Sequence, residues 1–129
     1  MRLLLDTHIF IWLAGESDAL PPWARSLCED TGNELWLSVA SVWEMQIKHQ
    51  LCKLPLSMPL AELVGSQGEA NGVALPGIAL RHMLALEALP PLHGDPSDRL
   101  LIAQARIEGL ALLTADDTLP RYDVHIERA

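Results

Sequence analysis

Four acidic residues occupy positions from which their carboxylates could act together at one edge of a folded sheet. Asp6 directly follows a run of three leucines, and Asp116 comes shortly after the apolar segment Leu110–Leu113. Glu44 and Asp98 lie in predicted helices, Asp98 in the first turn. Because the C-terminal ends of parallel strands and the N-termini of helices open onto the same crevice, we predict that these acids converge.

Such a cluster of acids would be unstable without a cation. Two like charges about 4 Å apart repel by ~4 kcal/mol at an effective dielectric constant of 20. A divalent ion removes this repulsion, and Mg²⁺ or Mn²⁺ prefers oxygen ligands. The chemistry that this arrangement favours is metal-assisted hydrolysis of a phosphodiester, in which the ion polarises a phosphate oxygen and activates water.

Each acid also has a purely structural explanation. Asp6 or Thr7 could cap the first predicted helix. The spacing of Ser41 and Glu44 fits a capping box, in which the glutamate bonds to the backbone of the serine. Asp116 could lie in a solvated turn.

Asp98 has the same ambiguity, since Asp95 and Pro96 predict an N-cap followed by a first-turn proline, and an acid suits that end of a helix. Its helical face argues for a buried position instead. That face holds the apolar residues Leu101, Ile102 and Ala105.

The order of apolar runs and helical stretches predicts an α/β fold with a mainly parallel sheet, in one domain covering residues 1–129. Strands are predicted at Arg2–Leu5, Leu35–Leu37, Val73–Leu75, Leu110–Leu113 and Val124–Glu127. Helices are predicted at Thr7–Ala14, Trp23–Glu29, Ser38–Leu51, Leu60–Ala70, Ile78–Leu89 and Pro96–Gly109.

Several large or reactive side chains are predicted to be buried. One predicted helix has an apolar face repeating at i+4 steps, formed by Val39, Trp43, Ile47 and Leu51. The aromatic core candidates are Trp12, Trp23, Trp36 and Trp43. The two thiols, Cys28 and Cys52, are expected to be small buried side chains in a reducing compartment.

The composition excludes several classes of protein. Of the 129 residues, 50% are hydrophobic, which argues against intrinsic disorder. The formal net charge of -8 argues against a basic patch that binds nucleic acid by neutralising phosphates. No apolar run approaches the ~20 residues of a membrane helix, and Asp6 and His8 interrupt the N-terminal leucines that could open a signal peptide. A soluble cytoplasmic protein is expected.

Four segments, taken together and in this order, resemble the PIN-domain ribonucleases, specifically the VapC-like toxins of type II toxin–antitoxin pairs. Their acids are separated by 38, 54 and 18 residues. The segments are Leu3–His8, Ser38–Glu44, His93–Ala105 and Leu112–Asp116.

The resemblance implies a Rossmann-like parallel sheet flanked by helices, and an acidic Mg²⁺ or Mn²⁺ site that cleaves RNA. By position, the resemblance implies that the site acids are Asp6, Glu44, Asp98 and Asp116, with Asp6 and Asp98 as direct ligands. It also implies that the Thr114 hydroxyl bonds within the site, whereas Asp95 is either an accessory residue or only a helix cap.

The same resemblance implies RNA as substrate and a cognate antitoxin as partner, and we expect a homodimer. The stretch Leu60–Leu89 is rich in leucine and alanine. Its apolar surface either forms a groove for an amphipathic antitoxin helix or is buried in the core or in a homodimer. Lys48 and Arg99 either steady a phosphate or form surface charge pairs. His8 and His93 are more simply explained as packed, solvated or loop residues than as parts of the site.

Two other functions remain open at the level of sequence. An aspartate after an apolar strand is also used by phosphotransfer proteins, such as haloacid-dehalogenase-like phosphatases and response-regulator receivers. The former need a second aspartate where His8 stands, and the latter need paired acids after the first strand. A non-catalytic interaction module of PIN-like shape is the other alternative.

Overall fold

The computed structural model describes residues 1–56, 58–89, 96–115 and 126–128, with the backbone alone for 96, 97 and 126–128. The strands are β1 (Arg2–Leu5), β2 (Glu34–Leu37), β3 (Ala111–Thr114) and β4 (Ile126–Arg128). The helices are α1 (Thr7–Ala14), α2 (Pro22–Glu29), α3 (Val39–Gln50), α4 (Leu60–Asn71), α5 (Leu80–Ala85) and α6 (Pro96–Glu108). A 3-10 turn, Leu86–Ala88, directly follows α5.

The strands form a four-stranded parallel sheet in the order β2-β1-β3-β4. Leu5 at the end of β1 pairs with Leu37 of β2 on one side and with Leu113 of β3 on the other. The C-terminal ends of these three strands are therefore level, so the residues that follow them lie at one edge of the sheet. The predicted α/β fold with a mainly parallel sheet is confirmed.

The three leucines of β1 are fully buried and face two different cores. Leu3 and Leu5 pack in a cluster with residues of α1, α2, α3 and α4. Leu4 packs on the other face with residues of α6 and with Leu112 of β3. Helices thus cover both faces of the sheet, which explains why its central strands contain the consecutive apolar residues Leu3–Leu5 and Ala111–Leu113 instead of alternating with polar residues.

Two predicted elements differ from the structure. In place of a strand at Val73–Leu75, a single parallel bridge joins Ala74 to Trp36. The helix predicted from Ile78 begins only at Leu80 and ends at Ala85, after which the chain tightens into the 3-10 turn. Of the predicted strand Val124–Glu127, the first two residues lie outside the described residues, and β4 covers the rest.

The apolar face predicted for α3 is wrong, because its residues point to solvent. The side chains of this face are 39–62% exposed, and Trp43 is the most exposed. The helix instead buries Ala40, Ser41, Glu44 and Met45. Since the two sets lie on different sides of a helix with 3.6 residues per turn, burying Glu44 turns the large apolar residues outward.

The other burial predictions are also partly wrong. Trp23 is 44% exposed, whereas Trp12 and Trp36 are half-buried. Cys28 is buried, and burial raises the pKa of its thiol to about 11. Cys52 is exposed, in contrast to the prediction. No helix in the described part of the chain is long and apolar enough to span a bilayer.

We expect Gly109→Ala to destabilise the fold by about 1 kcal/mol, because Gly109 ends α6 with a φ of 67°, where a side chain is disfavoured. The matched substitution Gly65→Ala lies inside α4 with open space around the added methyl group, and should stabilise by up to about 1 kcal/mol. Thermal unfolding followed by circular dichroism measures both. Equal effects of the same sign would contradict this interpretation of the two glycines.

Candidate active site

Asp6 lies at the junction between β1 and α1, where its carboxylate is 6% exposed. It is the N-cap of α1, and its Oδ1 accepts a hydrogen bond from the backbone amide of Thr7 at 2.6 Å. The structural explanation offered by the sequence is therefore correct for this residue. It accounts for only one of the two carboxylate oxygens.

The other oxygen of Asp6 is held from the neighbouring strand. The Thr114 hydroxyl donates to Asp6 Oδ2 at 2.6 Å, and Thr114 is fully buried. The backbone explains this contact, since the Asp6 amide donates to the Leu113 carbonyl at 3.0 Å and so continues the ladder between β1 and β3. Residues that follow paired positions on two parallel strands lie side by side.

Glu44 reaches the same region from α3. Its Oε2 accepts a hydrogen bond from the Thr7 hydroxyl at 2.6 Å, and its Oε1 accepts from Lys48 Nζ at 2.8 Å. The capping box predicted for Ser41 and Glu44 is wrong. The N-cap of α3 is Ser38, whose hydroxyl oxygen accepts from the Ala40 amide at 3.1 Å.

Burial is the main cause that raises the pKa of Asp6 above its ordinary value. Hydrogen bonds from the Thr114 hydroxyl and the Thr7 amide act in the opposite direction, as does the charge of His8. The neighbouring charge of Glu44 raises the pKa further. An ionised Asp6 is thus costly in this environment, and a nearby positive charge would stabilise it.

Asp98 lies in the first turn of α6 and is 8% exposed, as its apolar helical face predicts. Leu101, Ile102 and Ala105 on that face are at most 1% exposed. The helix packs against α3, which carries Glu44. The remaining two acids of the sequence prediction, Asp95 and Asp116, lie outside the described residues, as does His93.

Thr7 links Asp6 to Glu44 through its two hydrogen bonds. The described residues include no group of three or more histidine, cysteine, aspartate or glutamate side chains that could hold a metal ion. The chemistry of the donors nevertheless fits a hard divalent cation. Both side chains offer carboxylate oxygens in a buried setting, and burial is the main cause that raises the pKa of Asp6. Oxygen-only donors of this kind suit Mg²⁺ or Mn²⁺ better than a thiolate-preferring metal.

Thr7 is the member of this network that sequence reasoning missed. The sequence suggests only a possible helix cap at this position, whereas the Thr7 amide and hydroxyl bond to the two acids. The one signal in the sequence is its place directly after an aspartate at the end of an apolar strand, because residues that follow the C-terminal ends of parallel strands line the crevice at that edge.

The other polar candidates have structural roles. Lys48 forms an i,i+4 ion pair with Glu44. Arg99 Nη2 donates to the carbonyl oxygens of Leu86 and Leu89 at 3.3 Å, which ties α6 to the segment after α5. His8 is exposed, with its ring centroid 6.0 Å from that of Trp12.

A cavity of about 640 Å³ lies at the opposite end of β2. Its lining includes Glu34, Trp36 and Gly72, but neither Asp6 nor Glu44. Because β2 begins at Glu34 and ends at Leu37, this cavity opens near the start of the strand. Asp6 and Glu44 lie near the other end of the sheet, so they are separate from this cavity.

Two comparisons by sequence identify relatives of the chain. The family profile of the PIN domain matches residues 3–125. The chain is also 31% identical over 124 residues to ribonuclease VapC22 of Mycobacterium tuberculosis, covering 91% of this chain and 88% of that protein.

Comparison of structures finds the same fold in two solved VapBC structures. VapBC2 from Rickettsia felis, solved bound to a DNA fragment from its promoter, matches with a TM-score of 0.75 at 15% identity, over 99% of this chain and 98% of that one. VapBC-1 from nontypeable Haemophilus influenzae matches with a TM-score of 0.62 at 17% identity, also over 99% and 98%. The profile match and the VapC22 similarity, with the parallel sheet and the buried Asp6 at its edge, show that this chain belongs to the PIN-domain family.

Proposed function

We propose that this chain is a metal-dependent endoribonuclease and the toxin of a type II toxin–antitoxin pair. One observation carries the proposal: two buried carboxylates from different elements are held together at the C-terminal edge of a parallel sheet. Asp6 comes from the end of β1 and Glu44 from α3. The similarity to a protein named as a ribonuclease, over nine-tenths of the chain, supports RNA as substrate.

The proposed ion is Mg²⁺ or Mn²⁺, with the metal-site acids Asp6, Glu44, Asp98 and Asp116. Asp6 and Asp98 are the proposed direct ligands, and Thr114 and Asp95 are accessory. When bound, the ion would polarise a phosphate oxygen and lower the pKa of the attacking water. The buried oxygen donors of Asp6 and Glu44 and the burial of Asp98 support this assignment.

The described side chains prepare the site in three ways. Thr114 and the Thr7 amide each donate to one oxygen of Asp6, which fixes the plane of that carboxylate and favours its ionised form. The Thr7 hydroxyl and Lys48 each donate to one oxygen of Glu44, which fixes the plane of that carboxylate as well. Lys48 is 38% exposed, so its ammonium group also offers a positive charge that RNA phosphate can approach from solvent.

The proposed partners are RNA, a cognate antitoxin and a second copy of the chain, all in the cytoplasm. The solved structures of VapBC complexes with the same fold support an antitoxin partner. The predicted docking stretch Leu60–Leu89 does expose large apolar side chains, among them Leu80 at 72% and Leu84 at 57%. Amphipathic helices recognise apolar surfaces of this kind.

Asp98→Asn and Asp6→Asn should each lower RNA cleavage by at least about 100-fold, because each removes a negative oxygen donor from the site. The measurement is the rate of cleavage of total RNA, with circular dichroism confirming that each variant is folded. Asp18→Asn is the matched control, since Asp18 is exposed on the loop before α2. Cleavage by a folded Asp98→Asn variant at the parental rate would show that the site is assigned to the wrong residues.

Chelation should stop the reaction. We expect EDTA to abolish cleavage of total RNA, and an excess of Mg²⁺ or Mn²⁺ to restore it, because the ion supplies the charge that activates water. Cleavage that persists in EDTA would contradict metal dependence. A protein that cuts no RNA under any of these conditions would instead be the non-catalytic interaction module.

Asp6→Asn should also raise the stability of the metal-free protein at neutral pH. The folded-state pKa of Asp6 lies above its ordinary value of 3.8. At pH values between 3.8 and the folded-state pKa of Asp6, the folded state binds more protons than the unfolded state. The free energy of unfolding therefore falls as pH rises through this range and stays lower above it. The amide carries no charge and avoids this loss. Urea unfolding in EDTA at pH 4 and pH 7 tests this, and a destabilised Asp6→Asn variant at pH 7, against an unchanged Asp18→Asn, would contradict it.

A further inference from the structure

Thr7 makes two hydrogen bonds to the site through two different atoms. Its backbone amide donates to Asp6 Oδ1 and its hydroxyl donates to Glu44 Oε2, both at 2.6 Å. The residue is 2% exposed. Because Asp6 already caps α1, the Thr7 hydroxyl is not needed to begin the helix. Its bond to Glu44 therefore calls for a different explanation.

The two donor atoms of Thr7 are separated by only three covalent bonds. The spacing between the acceptor oxygens of Asp6 and Glu44 is thus set within one residue, whose β-branched side chain has few allowed rotamers. Lys48 also holds Glu44, but it lies on the same helix and is 38% exposed. An i,i+4 contact within α3 cannot fix Glu44 relative to β1, whereas Thr7 lies on α1 and can.

We propose that Thr7 is a positioning residue that sets the distance and orientation between the Asp6 and Glu44 carboxylates, and thereby the affinity of the site for a divalent cation. This inference rests on the proposed function. Like charges in a buried site move apart unless a donor between them holds both. Thr7 supplies that donor pair, so the site is already arranged when the cation arrives.

The test compares Thr7→Val, which removes the hydroxyl at nearly constant shape, with Thr7→Ser, which keeps it. Thr31→Val is the matched control, at an exposed threonine in the turn before β2. We expect Thr7→Val to bind Mn²⁺ roughly 10- to 100-fold more weakly in titration calorimetry, the usual effect of losing a residue that orients metal ligands. Thr7→Ser should rescue binding, and Thr31→Val should match the parent.

RNA cleavage supplies a second measurement, in which Thr7→Val should lower kcat while leaving KM for RNA within about twofold, because the residue orients ligands and does not bind substrate. Equal Mn²⁺ affinity in Thr7→Val and the parent would overturn the positioning role. So would equal losses in Thr7→Val and Thr7→Ser. If Thr7→Val fails to fold, Thr7→Ala replaces it in the same comparison.

Failure of the inference can be told apart from failure of the proposed function. A parent protein that binds Mn²⁺ but cuts no RNA, with binding weakened in Thr7→Val, keeps the positioning role and removes the ribonuclease. A parent protein that binds no Mn²⁺ overturns both. Glu44→Gln adds a further check, since Thr7 acts through Glu44. The double variant with Thr7→Val should lose clearly less Mn²⁺ affinity than the product of the two single losses, and a loss equal to that product, which is additive in free energy, would contradict the coupling.

Discussion

The repulsion between two buried carboxylates, Asp6 and Glu44, is the constraint on which this structure depends. Each is less than one-tenth exposed, and the pKa of Asp6 is raised first by burial and further by the charge of Glu44. A fold under selection for stability alone would place such groups in water. The surrounding elements instead bring hydrogen-bond donors to them, from β3 through Thr114 and from α1 through Thr7.

The level ends of the parallel strands make this arrangement possible. Leu5 pairs with both Leu37 and Leu113, so the chain leaves β1, β2 and β3 at one height. Asp6 after β1 and Thr114 at the end of β3 therefore meet directly through a hydrogen bond. Asp6 caps α1 and Ser38 caps α3, so helices begin directly after β1 and β2, and the residue after β1 is also one of the two buried acids. Asp6 thus begins a helix and also supplies a carboxylate to the proposed site, so its structural explanation does not compete with the proposed function.

The sequence was sufficient for the elements that carry strong local signals. Consecutive leucines ending at an acid predicted β1, and the apolar face of α6 correctly placed Asp98 on the buried side. Local signals do not predict which face of α3 is buried. Periodicity alone favours the face with the largest apolar residues, but here Glu44 must reach Thr7, and the helix turns Trp43 to solvent to allow it. A capping box for Glu44 was wrong because it considers only local bonds, whereas the partner lies 37 residues away.

The three consecutive leucines of β1 also affect the register in which the strand pairs with its neighbours. Leucines occupy both faces, so the apolar pattern of β1 does little by itself to prevent a slip of one residue in its pairing. The same slip would drive the Asp6 carboxylate into a space now filled by a leucine, where an unpaired charge is far more costly than a lost methyl group. Asp6 therefore disfavours a slip of the central strand in that direction, and the carboxylate that we propose as a metal ligand also favours the observed register.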